Sequence, residues 1–314
     1  MRGTAADELP FRIATGSFAL LLIALVCAIV AGLVQAALPS VRQFGFSFWQ
    51  TATWDAAAGQ FGAWPFVWGT LYSSVLALLV ASPAAIGLAV FMIEFCPPAF
   101  RSAFVFLIEL LAAIPSIVYG LWGLVVLVPA VRSVEQSMPE ALRAMPLFSG
   151  APLGFGMLAA GLILAMMIAP FVASVSREVL TSVPAAQRDG AYALGATRFE
   201  AVRATLFYAR SALAGAIVLG FGRALGETMA VAMVIGNVAR ASTSMFAPQS
   251  SMTTVLVNEF TGAAGDRHVS ALVEIGLLLF AITLIVNSVA RTLIWGMKRS
   301  TGSTARTWTF GVRS

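Results

Sequence analysis

Arg223 and Glu227 stand four residues apart inside the otherwise apolar run GRALGETMAVAMVIGN. A guanidinium is a planar fork of donors that can hold two oxygens of one oxyanion, and it stays charged at any pH a protein meets. A carboxylate four residues on shares its helix face, where it could neutralise the arginine or carry a proton. Gly222 and Gly226 form a small-residue strip beside the pair, which would let a second helix approach closely. A lone charge at a bilayer centre costs about 2.5–3.5 kcal/mol on insertion scales, so both groups must face protein or water, never lipid. Two readings follow: a buried ion pair that fixes helix packing, or a charged lining on a solute pathway. If the solute is an anion, Glu227 has to orient Arg223 or exchange partners, because a neutralised arginine attracts an anion poorly.

Other chemistry is sparse. His268 is the single histidine, and Cys27 and Cys96 show neither a disulfide framework nor a CxxC spacing, so no protein metal site is expected. The one lysine, Lys298, sits in WGMKRST without the Gly-rich turn of a phosphate-cradling P-loop, so the chain has no ATPase site of its own. No catalytic group and no cofactor are expected. Glu109 falls about two turns inside an apolar stretch and needs a partner, which makes it the candidate for an intramembrane pair; Glu94 and Glu274 fall near the ends of such stretches, where water could reach them.

The elements that must position these groups are membrane helices. Of 314 residues 59% are hydrophobic and 11% charged, with a mean hydropathy of +0.90. A soluble domain has about 45–50% apolar and about 25% charged residues. The fold class is an all-α integral membrane protein, and six stretches are long enough to cross a bilayer: 15–38, 67–95, 103–131, 153–176, 212–237 and 271–295. The first is about twice as long as the apolar part of a signal peptide and reads as an uncleaved helix. Segments 1–14 and 297–314 read as short cytoplasmic tails, 15–66 as the first span and its outer loop, and 67–296 as the core.

With both termini cytoplasmic, the basic residues outside the spans divide twelve inside to five outside, the five being Arg42, Arg132, Arg143, Arg240 and Arg267. The net charge of +5 is explained by this bias, and no nucleic-acid motif competes with it. Arg291 lies in the last turns of the sixth span, close enough to snorkel to the cytoplasmic surface. Arg223, about 16 Å beyond Ala212, is then the basic residue with no surface nearby. Pro83, Pro115 and Pro170 read as structural kinks, with Ser82 and Ser116 placed to satisfy carbonyls that two of them free.

The connection 177–211 between the fourth and fifth spans is too long and too patterned for a simple loop. Ser182 and Pro184 suit a helix start, Gly195 a left-handed stop after Leu194, and Thr197 with Glu200 a capping box for a second helix. Phe199, Val202 and Leu206 would line one side of that second helix. This apolar ridge either fits a groove in a partner or packs on the protein's own helix ends.

The stretch RDGAYALGATRFEAVRATLFYAR resembles the loop of ABC importer permeases in which Glu-Ala-Ala, three residues and then Gly dock on the ATPase subunit. On that resemblance Asp189, Gly190 and Ala191 occupy the Glu-Ala-Ala positions and Gly195 the glycine. Asp189 and Gly190 depart from the pattern, and glycine costs about 1 kcal/mol against alanine inside a helix. Phe207 stands where family members carry proline, which bears on the turn into the fifth span. LLAAIPSIVYGLWG and GRALGETMAVAMVIGN extend the resemblance, over roughly 68–295, to permease subunits of the phosphate-specific ABC importer, PstC type.

The resemblance implies a heterodimer with a similar second permease, two cytoplasmic ATP-binding subunits, an extracytoplasmic phosphate-binding protein, and inorganic phosphate as solute. It also implies a coupling-helix unit between helices 4 and 5, and a place for Arg223 and Glu227 in phosphate movement. Residue chemistry alone leaves open a gradient-driven transporter or channel with Glu227 and Glu109 as proton carriers, another oxyanion as solute, or a scaffold in which Arg223 and Glu227 are a structural pair.

Overall fold

The computed structural model describes residues 5–263 and 265–303. Among them the chain is predominantly helical, relieved by two isolated bridges, Asp55 with Gln60 and Gly236 with Gln249. Six helices are long and apolar enough to cross a membrane. They belong to α1 (Ala5–Phe44), α2 (Trp64–Phe95), α4 (Ser116–Ser137), α5 (Met157–Thr181), α7 (Arg198–Leu225) and α10 (Asp266–Ser303). Shorter helices lie between them: α3 (Pro98–Ala113), α6 (Ala185–Ala193), α8 (Met229–Ala232) and α9 (Met252–Glu259).

The ends of α1 and α10 extend into both expected tails, so residues 5–14 and 297–303 are helical; 1–4 and 304–314 lie outside the described residues. The apolar span within α10 ends at Thr292, so Arg291 stands in its last turn, while the helix continues past it to Ser303. At the rise of an α-helix that remainder is about 18 Å long.

The stretch 103–131 is two helices. Ile114, immediately before Pro115, is extended (ψ 129°), so α3 stops at Ala113 and α4 restarts at Ser116. The cause is local, because proline has no N–H to donate and its ring disfavours a helical residue before it. The Tyr119 hydroxyl, 2.8 Å from the Leu111 carbonyl, serves the broken end, a task expected of Ser116. Ser82 does not serve its proline either, since its hydroxyl has no hydrogen-bond partner, and α2 runs straight through Pro83. Helix α5 likewise continues through Pro170.

Helix α5 is the centre of the bundle. In its most apolar stretch 61% of residues are buried, against 33% or fewer in every other span and none in α1. Small residues permit this: a Cβ on Gly161 would fall 2.5 Å from Leu76 of α2, so only glycine lets those helices touch there. Helix α7 packs on α5, α10 and α2, with Gly220 against Val172 and Gly222 against Asn287. At the end of the bundle bearing α6, Ala89, Leu180, Ala209 and Leu213 form a small core. The far end is closed by Phe48, Phe61, Phe66, Met252, Leu272 and Ile275.

The stretch 212–237 is not one span. Helix α7 begins at Arg198, stops at Leu225, and gives way to the single turn α8 and then to irregular chain up to α9. Gly236 (φ +94°) and Asn237 (φ +53°) take left-handed conformations that end the helical path. Glycine pays no steric cost there, and asparagine offsets its own by local bonding, here from its amide to the Ala232 carbonyl. Non-helical backbone within a bilayer is tolerated only where protein satisfies it. In this chain the Val234 carbonyl accepts from Gly156 N–H, the Ile235 carbonyl from Gln249 N–H, and the Glu227 carbonyl from the Thr253 hydroxyl.

Candidate functional site

Arg223 lies in the last turn of α7, with its guanidinium 5.6 Å from the Phe171 ring centre. Phe171 is near the middle of α5, so the cation sits at mid-depth in the bundle. The carbonyl-rich end of a helix favours a cation. The ring face adds an attraction of about 0.5–1 kcal/mol or more.

Glu227 does not pair with it. The ion pairs within 4 Å among the described residues are Arg188 with Glu94 and His268 with Glu259. Because α7 ends between them, Arg223 and Glu227 share no helix face, and the four-residue spacing loses its meaning. The Glu227 carboxylate instead turns to the Ala230 N–H at 3.3 Å, at the start of α8. Arg223 is thus an un-neutralised guanidinium on a face left open in this chain.

The other carboxylates divide by surroundings. Glu109, the candidate for an intramembrane pair, is exposed on α3 and makes no ion pair among the described residues. Glu94, at the end of α2, is bound by Arg188 of α6. Glu274, expected near water, is only 4% exposed, because α1 packs over that part of α10. His268 is buried against Phe61 and bonded to Glu259, a carboxylate shared with the Trp54 indole.

The unit between α5 and α7 forms a helix, turn and helix. Pro184, not Ser182, precedes α6, while Ser182 ends α5. The Gly195 N–H bonds the Tyr192 carbonyl at 2.9 Å and the Ala196 N–H bonds the Ala191 carbonyl at 3.1 Å. That pair of bonds is a Schellman stop. Gly195 (φ +82°) supplies its left-handed residue. Thr197 and Glu200 then make the capping box, with the Thr197 N–H 2.8 Å from the Glu200 carboxylate. Each side chain satisfies a backbone donor that the first turn of a helix leaves free. Asp189, Gly190 and Ala191 lie within α6, which Gly190 does not interrupt.

Phe199, Val202 and Leu206 do not form one outward ridge. Val202 is 8% exposed and Leu206 packs into the small core at this end, while Phe199 is 74% exposed and Leu194 91%. No turn separates this unit from the span, since α7 is continuous past Phe207, which keeps the backbone N–H that a proline would remove.

These features sit on a chain whose residues 81–299 match the family described as the binding-protein-dependent transport system inner membrane component. The chain belongs to that family. The phosphate transport system permease protein PstC of Mesorhizobium japonicum is 38% identical, over 96% of this chain and 94% of its own length. Proteins of the same name from Pasteurella multocida and Haemophilus influenzae are 43% and 42% identical, covering 94% and 93% of this chain and 94% of each relative. The methionine ABC transporter MetNI, solved in an inward-facing conformation, shares the fold, with a TM-score of 0.53 over 75% of this chain and 94% of that one at 17% identity.

In this inner membrane component the helix unit is tied to the bundle by contacts that sequence reasoning missed. Arg188 of α6 holds Glu94, and the Arg198 guanidinium lies 4.6 Å from the Phe95 ring centre, so both helices of the unit grip the end of α2. A charge next to CPP in EFCPP was a faint signal for Glu94; nothing in the sequence joined it to a residue 94 positions away. Leu194 could have been singled out as an apolar residue immediately before the left-handed glycine.

Proposed function

We propose that this chain is one permease subunit of an ATP-driven phosphate importer, forming half of the phosphate pathway. The observation that carries the reading is the guanidinium of Arg223 at mid-depth, with no ion pair among the described residues, in a chain whose relatives are named phosphate transport permeases. An importer for an anion needs a cation that a partner carboxylate has not neutralised, and Arg223 is such a cation. Glu227 serves by holding the start of α8 in place, which keeps the helix break that leaves Arg223 free.

A similar second permease completes the pathway, and an extracytoplasmic binding protein delivers phosphate. The helix unit 177–211 faces the cytoplasm, as its arginines favour. There Leu194 and Phe199 enter a groove of one of two ATP-binding subunits, around Asp189, Gly190, Ala191 and the Gly195 turn. ATP-driven closure of those subunits moves the unit, and the continuous α7 carries the motion directly to Arg223, alternating access between the two sides. The gradient-driven reading gives way, because family membership favours binding-protein-dependent transport and Glu109 and Glu227 form no linked pair.

The experiment is purification of the complex and reconstitution into liposomes. Uptake of inorganic phosphate is expected only with both ATP and the binding protein present, and a Walker-motif ATPase should copurify. Phosphate uptake by this chain alone, without ATP, would overturn the proposal.

A further inference from the structure

Helix α10 contains a polar stripe that an apolar span does not need. Thr283, Asn287, Ser288 and Arg291 follow one another at spacings of four, one and three toward the end of its apolar stretch and border a single cleft of about 470 Å³. Leu219, one turn before Arg223 on α7, forms the opposite wall. A Cβ on Gly222 would stand 3.3 Å from the Asn287 side chain, and one on Gly215 3.7 Å from Ile294. The two helices therefore run antiparallel, with Asn287 level with Arg223 and Arg291 about one turn nearer the α6 end.

Polar groups within a span face protein or water and mark pathways. Every polar side chain on this cleft can donate a hydrogen bond: two hydroxyls, an amide and a guanidinium. No carboxylate among the described residues lines it. Arg291 makes no ion pair among the described residues, and the helix continues for three turns past it. The apolar span ends at Thr292, so Arg291 stands at its edge, where a guanidinium reaches both the cleft and the surface.

We infer that this cleft is a second phosphate-group site, lying between Arg223 and the end of the bundle that carries the helix unit. The inference rests on the proposed function for its direction: an anion released by Arg223 moves to Asn287 and Arg291 before leaving. Two cationic stations about one turn apart lower the barrier for a doubly charged ion without binding it so tightly at either that it cannot leave. A lipid phosphate presents the same chemistry to the same donors, so the test separates the two sources.

The full complex would be reconstituted with wild-type chain, Arg291→Gln, Arg291→Lys and Asn287→Ala, in phosphatidylcholine liposomes with and without phosphatidylglycerol. Inorganic phosphate uptake is followed, and lipid retained by the purified complex is read by native mass spectrometry. Arg291→Gln is expected to lower the maximal uptake rate about tenfold, an effect in the range seen when one charged donor is lost. The phosphate concentration for half-maximal uptake, set at the binding protein, should stay constant, Arg291→Lys should recover part of the rate, and Asn287→Ala should fall between. The same loss in both liposomes assigns the site to the transported ion; a loss confined to phosphatidylglycerol liposomes, with less lipid retained, assigns it to a lipid headgroup. Wild-type uptake and wild-type lipid retention by Arg291→Gln would overturn the site while leaving the proposed function intact. No ATP-dependent uptake by the wild-type complex would instead sink the proposed function.

Discussion

Two guanidiniums in this molecule meet opposite fates. Arg188 is held by Glu94 across the junction between the helix unit and α2, whereas Arg223 sits at mid-depth with a ring beneath it and no carboxylate in reach among the described residues. A satisfied pair is a fastener: its energy resists displacement, and it transmits motion between the elements it joins. An unsatisfied cation in a low-dielectric setting is a binding site for whatever mobile anion can reach it. The difference comes from the backbone. An intact helix end presents Glu94 to Arg188, and a broken helix turns Glu227 away from Arg223.

The sharpest way to break this contrast is Arg223→Gln in the reconstituted complex. Phosphate uptake is expected to fall about 100-fold, the scale for removing a preorganised charge partner, while the subunits still assemble. Arg223→Lys should be intermediate, since an ammonium keeps the charge without the two-pronged geometry. Uptake at the wild-type rate by Arg223→Gln would reduce Arg223 to a packing residue.

A smaller effect is expected at the fastener. Glu94→Arg places like charges together at a cost of several kcal/mol, and phosphate moved per ATP hydrolysed should drop about fivefold. The double exchange Glu94→Arg with Arg188→Glu should restore most of it, a coupling that a double-mutant cycle reads directly. Failure of the exchange to restore coupling would show that the pair does not join the unit to α2 in the working complex. The smallest change is local. Thr197→Ala removes the cap of α7 at about 1 kcal/mol, so amide hydrogen exchange over 198–201 should quicken roughly fivefold, with transport little altered.

The two regions also differ in how readable they were. The Schellman stop at Gly195 and the capping box of Thr197 and Glu200 depend on hydrogen bonds between residues three to five apart, so sequence pattern predicts them correctly. The orientation of the second helix was half readable: its helical period put Phe199, Val202 and Leu206 together, but only the presence of Ala89 and Leu180 decides that Val202 and Leu206 turn inward. In GRALGETMAVAMVIGN the same local reasoning failed. A run of apolar residues with good helix formers reads as continuous helix, and the break after Leu225 is stable only because distant groups, the Gly156 and Gln249 amides and the Thr253 hydroxyl, take up the freed carbonyls.

Composition and hydropathy by themselves determined that this is a six-span helical membrane protein with a structured helix unit between its fourth and fifth spans, because solvent and short-range hydrogen bonding dictate both. The motifs carried the family. Only the tertiary structure decided that Arg223 has no ion-pair partner among the described residues, that the Glu227 carboxylate meets the Ala230 amide, that Arg188 grips Glu94, and that Arg291 lines a cleft. Each of those depends on which groups from remote parts of the chain arrive beside a charge, and no spacing along one helix contains that information.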